Sequence, residues 1–229
     1  MRASRPASTP SSASTSARRT IAHLTEPIPR QQLDDAELLR QFVESELRYG
    51  LMVALDNQIL NGNGTGENLR GILNTTGIQT VTTGADALVR ARAALTLLQV
   101  SDLEPTAYVL SPTDWATIEG VAAAQFAANP GQPTATDAMQ RRLYGVPVPV
   151  SNAIANGTGL LGAFSSSSEL GTTQEVRIDW SEQVYDPNAF GAGDGASDFE
   201  RNLIRFRAEG RWGLAITRPD GFVRITFGA

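Results

Sequence analysis

The amino-acid sequence predicts an α+β fold, with one long helix packed on long antiparallel strands and shorter helices and strands between them. Two observations carry that expectation. Leu39, Val43, Leu47, Leu51, Leu55 and Ile59 recur every fourth residue, which marks one face of a single helix. Residues 175–181 and 201–212 instead alternate apolar and charged side chains, the period of a strand with one covered face.

In chain order, residues 1–19 are rich in Ser, Thr, Ala and Pro, with four arginines and no acid. That composition predicts a disordered tail. It lacks the apolar core of a secretory signal, although its Arg- and Ser-rich, acid-poor character also matches a transit peptide. Thr20–Leu24 reads as a short strand, ended by Pro27 and Pro29. Asp34 and Asp35 are suited to cap the long helix, 34–60, because their charge complements its positive end. Leu38, Phe42, Met52 and Leu60 widen the apolar stripe, and Glu44 precedes Arg48 by four residues, the favourable order for an ion pair. Gly50 costs about 1 kcal/mol against alanine. About 26 residues at 1.5 Å each make a rod of roughly 40 Å. Asn61-Gly62 predicts a left-handed stop, with Gly64 and Gly66 tightening the exit loop.

Asn74–Gly84 reads as a polar link, and Ala85–Val100 as a helix with Leu88, Ala91, Leu95 and Leu98 on one face. Thr106–Leu110 is a short strand; Ser111 then caps a helix with Pro112 at its first position, running through Trp115 and Ile118. Residues 120–136 are expected to form a loop. Met139–Tyr144 leads into 145–150, where Pro147 and Pro149 place a strand at an edge or bend. Leu160–Phe164 is another strand. Beyond it Val176, Ile178 and Trp180 oppose Glu175, Arg177 and Asp179, while Ile204, Phe206, Ala208 and Trp212 oppose Arg205, Arg207, Glu209 and Arg211. The apolar faces are expected to cover the long helix, and the outer faces to form cross-strand ion pairs. A turn-rich excursion, Asp186–Asp198, separates the two strands, and Gly221 turns the chain into a last strand, Phe222–Phe227.

Composition narrows the chemistry. With no cysteine, the chain has no disulfide or thiolate site, and one histidine, His23, leaves little for a transition metal. The net charge of −5 argues against nucleic acid as the main partner. No apolar run approaches the roughly 20 residues of a membrane helix. All 19 basic residues are arginine. The segment Asn61–Gly66 therefore fails as a phosphate loop, which needs a lysine and a strand before it; its G-x-G-x-G spacing fails the dinucleotide pattern too. Asp34-Asp35 and Glu44/Glu46 read as a cap and a solvated helix face rather than an acid–base pair. The basic cluster of Arg205, Arg207 and Arg211 reads as ion pairing within the sheet or to a neighbouring subunit, because Phe206 and Trp212 point away from it. No catalytic, cofactor-binding or metal-ligating residue is assigned, and no cofactor.

Several segments, taken in order, resemble a known family: Thr20–His23, Leu33–Asp35, Tyr49–Leu51, Leu60–Gly71, Tyr108–Trp115, Leu143–Val148, and Arg218-Pro219 with Phe222–Phe227. Together they resemble the tailed-bacteriophage major capsid proteins of the Hong Kong 97 type over about residues 20–229. The resemblance implies a peripheral domain, 20–71 with 171–216, built on the spine helix, and an axial domain, 72–170 with 217–229. It implies a structural, non-enzymatic subunit that joins copies of itself as pentamers and hexamers in an icosahedral shell around the genome. Portal, scaffold or decoration proteins are further implied partners; packaged DNA is touched weakly and non-specifically, and no membrane is involved. The implied location is the virion, and the host cytoplasm during assembly. An encapsulin-like nanocompartment shell is the alternative with the same fold. A hydrolytic or small-molecule-binding domain using the Gly-rich loop is the alternative from another class.

Members of this family carry an N-terminal arm and an extended loop before the segment resembling Thr20–His23. Only 19 low-complexity residues precede it here, so monomers or small rings are expected rather than closed shells. In the best-known relatives a lysine joins an asparagine of a neighbour, assisted by a glutamate; Asn202 and Glu209 match those two positions. Their spacing of seven places them on opposite faces of one strand. Without a lysine neither is given a catalytic role.

Overall fold

A computed structural model describes residues 14–15, 17–35, 37–128, 136–137, 140–186 and 195–227. In chain order the elements are β1 (Ser14–Thr15), β2 (Arg19–Leu24), β3 (Ile28–Pro29), α1 (Arg30–Asp35), α2 (Glu37–Asn61), β4 (Gln79–Val81), α3 (Ala87–Val100), β5 (Ala107–Val109) and α4 (Pro112–Ala128). There follow β6 (Thr136–Asp137), β7 (Arg142–Leu143), β8 (Val146–Pro147), β9 (Thr158–Gly162), α5 (Phe164–Ser167), β10 (Ser168–Ser181), β11 (Tyr185–Asp186), β12 (Ala196–Ser197), β13 (Leu203–Ile216) and β14 (Phe222–Thr226). The chain divides into two compact units. One holds Arg18–Asp56 and Thr172–Trp212; the other holds Asn57–Gly171, Gly213–Ala229 and Met1–Ala17, as far as these are described.

In the first unit β13 is the central strand. β10 lies along one side of it, and β2 and β3 pair with it antiparallel, Arg207 opposite Leu24 and Leu203 opposite Pro29. Ile204, Phe206, Ala208 and Trp212 are buried, as alternation requires, and so are Val43, Leu47, Leu51 and Leu55 of α2. Gly50 is where His23 of β2 seats its ring, 3.3 Å from the position a Cβ would take. The glycine that weakens the helix by propensity makes room for that contact.

Several expectations change at this level. Asp34 and Asp35 do not open a helix: helical backbone already begins at Arg30, whose N–H donates to Asn202 O at 3.0 Å. A tertiary carbonyl takes one of the donors that every helix start leaves over. Val176 and Ile178 are half-buried, but Trp180 is 56% exposed. Among the described residues two of the outward charges pair along their own strands, Arg177 Nε to Asp179 at 2.8 Å and Arg207 Nη2 to Glu209 at 3.2 Å. Residues two apart on a strand share a face, so a long arginine side chain can reach an acid on its own strand. Glu44 likewise pairs with Arg40, at 3.4 Å, rather than with Arg48.

The second unit carries a four-stranded sheet in the order β4-β14-β9-β5, in which β14 runs parallel to β4 and antiparallel to β9, and β9 antiparallel to β5. Alternation along β9 and β14 sends Leu161, Val223 and Ile225 into a core with Leu88, Ala91, Leu95 and Leu98 of α3 and Trp115 and Ile118 of α4. It sends Leu160 and Phe222 into a second core with Leu60, Ile72, Ile154, Leu214 and Ile216. Asp114 fixes one end of α4: its N–H is capped by Ser111 Oγ at 3.0 Å, and its carboxylate accepts the Gly157 N–H at 2.9 Å.

Here too the structure corrects the reading. α4 continues past Gly120 to Ala128, because 121–128 is dominated by alanine, the best helix former; residues 129–135 of the expected loop lie outside those described. The expected strand at 145–150 is instead half of a hairpin, β7–β8, with Leu143 opposite Val146. Tyr144 and Gly145 between them have φ of 50° and 81°, the pair of left-handed residues that a two-residue hairpin turn demands. The tail is not wholly irregular, since Ser14 and Thr15 pair with Ile216 and Ala215 and β2 begins at Arg19; residues 1–13 lie outside the described ones. So do residues 187–194 of the excursion, whose base is a two-stranded ribbon with Tyr185 opposite Ser197.

Candidate interaction surfaces

The Gly-rich loop after α2 is closed upon itself. Gly62 N–H donates to Gln58 O at 3.0 Å, Gly64 N–H to Leu69 O at 2.9 Å and Gly71 N–H to Gly62 O at 2.8 Å. Asn63 Oδ1 accepts from Thr65 N and from Asn68 Nδ2. Amides that a phosphate loop would aim outward are spent inside this one. Gly62 is not the left-handed stop expected of it; positive φ occurs at Gly64 and Gly66. Its need for glycine is close approach, because a Cβ on Gly62 would collide with Leu69 O and stand 2.5 Å from Gln58 O.

The remaining polar candidates are likewise absorbed by structure. Arg205 forms a two-pronged pair with Asp198, Nε to Oδ2 at 2.8 Å and Nη2 to Oδ1 at 3.3 Å, both side chains largely buried. Asn202 lies in a turn one residue before β13 with φ 56°, so strand alternation does not relate it to Glu209; its backbone carbonyl instead receives Arg30. Glu209 is paired with Arg207. Among the described residues no three of His, Asp and Glu gather where a metal could sit. The Asp34 and Asp35 carboxylates lie outside the described side chains.

What the molecule does offer is uncovered apolar surface. Phe42 is 60% and Tyr49 68% exposed, with Met52 and Val53 also open. At 100° per residue Phe42, Tyr49 and Val53 fall on one line along α2, opposite the buried stripe. The expected widening of the core stripe by Phe42 and Met52 is therefore overturned: α2 has an apolar face on each side. Spacings of seven and four between these residues were visible in the sequence. In a single chain, though, periodicity does not say which of two stripes the subunit itself covers. Trp180, Tyr185 and Phe199 are open on the same unit. The line Phe42–Tyr49–Val53 is a row of open apolar side chains along one helix rather than a single exposed residue.

The model of the phage capsid family matches residues 3–227. The chain belongs to that family. It is 30% identical over 219 residues to the major capsid protein of Enterobacteria phage HK97, covering 91% of this chain and 51% of that protein. It thus spans about half the length of this curated relative. Among solved structures it is similar to that of Mycobacterium phage Adephagia, with TM-score 0.66, 15% identity, 93% of this chain and 72% of the other. It is also similar to the holo-SrpI encapsulin complex from Synechococcus elongatus PCC 7942, with TM-score 0.63, 14% identity, 91% of this chain and 73% of the other. The fold is that of the Hong Kong 97-type capsid proteins, an α+β arrangement of helices and mixed sheets. The family's work is structural rather than enzymatic.

Proposed function

We propose that this chain is a structural subunit of an icosahedral phage or prophage capsid, acting by self-assembly around the genome. The family match across residues 3–227 carries this reading, and the uncovered apolar faces of α2 and of the β10–β13 unit support it. In it, residues 20–71 with 171–216 form the peripheral domain and 72–170 with 217–229 the axial domain, while the two compact units divide at Asp56 and Trp212. The axial domain meets its copies in pentamers and hexamers. Portal, scaffold or decoration proteins complete the particle, which is assembled in the host cytoplasm. Wall and DNA meet only weakly, in keeping with a net charge of −5.

A second reading, the shell of an encapsulin-like compartment, is favoured by the likeness to an encapsulin complex. Density-banded particles from a culture that makes the protein separate the two. Peptides from this chain as the dominant species, with nuclease-protected DNA inside, are the expected result. A protein cargo without DNA would decide for the compartment, and absence of the chain from every particle band would overturn both.

A further inference from the structure

In the unit of Arg18–Asp56 and Thr172–Trp212, α1, α2, β10 and β13 border a half-open groove of about 200 Å³. Ile204 and Phe206 lie at its buried side, Trp180 forms an open wall, and Arg30, Arg40 and Glu182 edge it. Arg30 and Glu182 pair at 2.9 Å, which holds the rim in place. Arg40 keeps 54% of its side chain exposed, and its pairing to Glu44 is loose at 3.4 Å. An apolar cavity of roughly 150 Å³ holds a benzene ring, so one aromatic side chain fits this volume.

A matching knob stands next to the groove on the same subunit. Phe199 is 72% exposed, at the tip of the turn that feeds β13. The turn is fixed from within: Leu203 N–H donates to Asp198 O at 2.8 Å, Arg201 N–H to the same oxygen at 3.2 Å, and Asn202 takes φ 56°. Below it lies the buried Asp198–Arg205 pair. Glu200 follows Phe199 and is exposed, its carboxylate accepting the Ser197 N–H at 3.0 Å. Arg30 joins knob to groove, since its side chain edges the groove and its N–H binds Asn202 O.

We propose that the Phe199 turn of one copy docks into the Trp180 groove of a second copy of this chain, with Glu200 set against the partner's Arg40. Knob and hole side by side on one surface are self-complementary about a two-fold axis, where each copy gives what it receives. The ring would lie between Trp180 and the guanidinium groups, a setting that favours an aromatic over an aliphatic knob. The charges agree at one point: Glu200 stands beside the knob and the half-exposed Arg40 on the rim of the hole, where Glu182 already answers Arg30. Docking would cost little ordering, because hydrogen bonds already fix the turn. The inference goes beyond the shell reading and is separable from it.

Because the chain has no cysteine, single cysteines give a clean test. Phe199→Cys and Trp180→Cys variants of the full chain, mixed and treated with a short bismaleimide, should yield a cross-linked dimer containing one of each. Either variant alone should yield far less. Glu200→Arg should weaken self-association at least tenfold in sedimentation, and Arg40→Glu in the same chain should restore it. Glu200→Arg also removes the Ser197 hydrogen bond, which Arg40→Glu cannot restore, so rescue by the second change isolates the contact between copies. Circular dichroism should show the parent's fold in both. No mixed dimer at the highest attainable concentration, or no rescue by the charge swap, would overturn the docking. Particles that form without the cross-link would leave the shell reading standing; cross-linked dimers without particles would leave the docking standing.

Discussion

At the residue scale, two buried polar groups set measurable terms. Tyr108 is fully buried, and its hydroxyl donates to Ala91 O at 2.9 Å. Burial, with Tyr144 nearby, raises its pKa well above the ordinary tyrosine value of 10.0, Arg92 opposing only in part. Below about pH 10 both folded and unfolded chains hold the proton, and Tyr108 adds no pH dependence. Above that value only the unfolded chain ionises, so stability falls as pH rises, by up to about 1.4 kcal/mol per pH unit. Tyr108→Phe should unfold with a shallower alkaline slope than the parent, while costing about 1 kcal/mol near neutrality for the lost hydrogen bond. Urea melts at about pH 8 and about pH 11 compare the two; parallel slopes would count against this assignment. Asp198 is the second case. Asp198→Ala removes the carboxylate that the largely buried Arg205 grips with two prongs and should cost about 3–5 kcal/mol. Adding Arg205→Met should recover most of it, and a double variant as unstable as the single one would show that the pair is not the cause.

At the element scale, α2 tests how packing uses a helix. Leu51 is fully buried and Leu55 nearly so, so truncating either to alanine should cost about 2–5 kcal/mol. Phe42→Ala, on the opposite line, should stay within about 0.5 kcal/mol in the isolated subunit. Equal losses at Leu51 and Phe42 in thermal melts would contradict the two-faced helix. The same element marks what the sequence made legible. Its length, its end at Asn61 and its core line all follow from a period of four, and the alternation of β13 from a period of two. The preceding α1, which begins at Arg30, was not legible, because its first donor finds a carbonyl in a turn remote in sequence. The β7–β8 hairpin hid for another reason: its turn places Tyr144, not asparagine or aspartate, in the left-handed region before Gly145. For the charged faces, period fixed which residues point outward but not that Arg177 and Arg207 would choose partners on their own strands.

At the scale of the whole molecule, what holds copies together is bounded by composition. An isopeptide link between subunits needs a neutral amine as nucleophile, which a lysine supplies once its pKa is depressed by burial. This chain has 229 residues and 19 basic side chains, all of them arginine. Arginine cannot take the role, since its guanidinium stays protonated at any pH a protein tolerates. Asn202 sits in a left-handed turn outside the strand that carries Glu209, and Glu209 is paired with Arg207. This chain has no lysine to close such a link, so any contacts between its copies are expected to be non-covalent. Such contacts yield to detergent and heat, whereas isopeptide bonds do not. Assemblies of this chain, boiled in denaturing detergent and run on a gel, should collapse to one band near the chain mass of 24.4 kDa. A ladder of dimers to hexamers, with linked peptides containing Asn202, would show that a nucleophile other than lysine closes the joint.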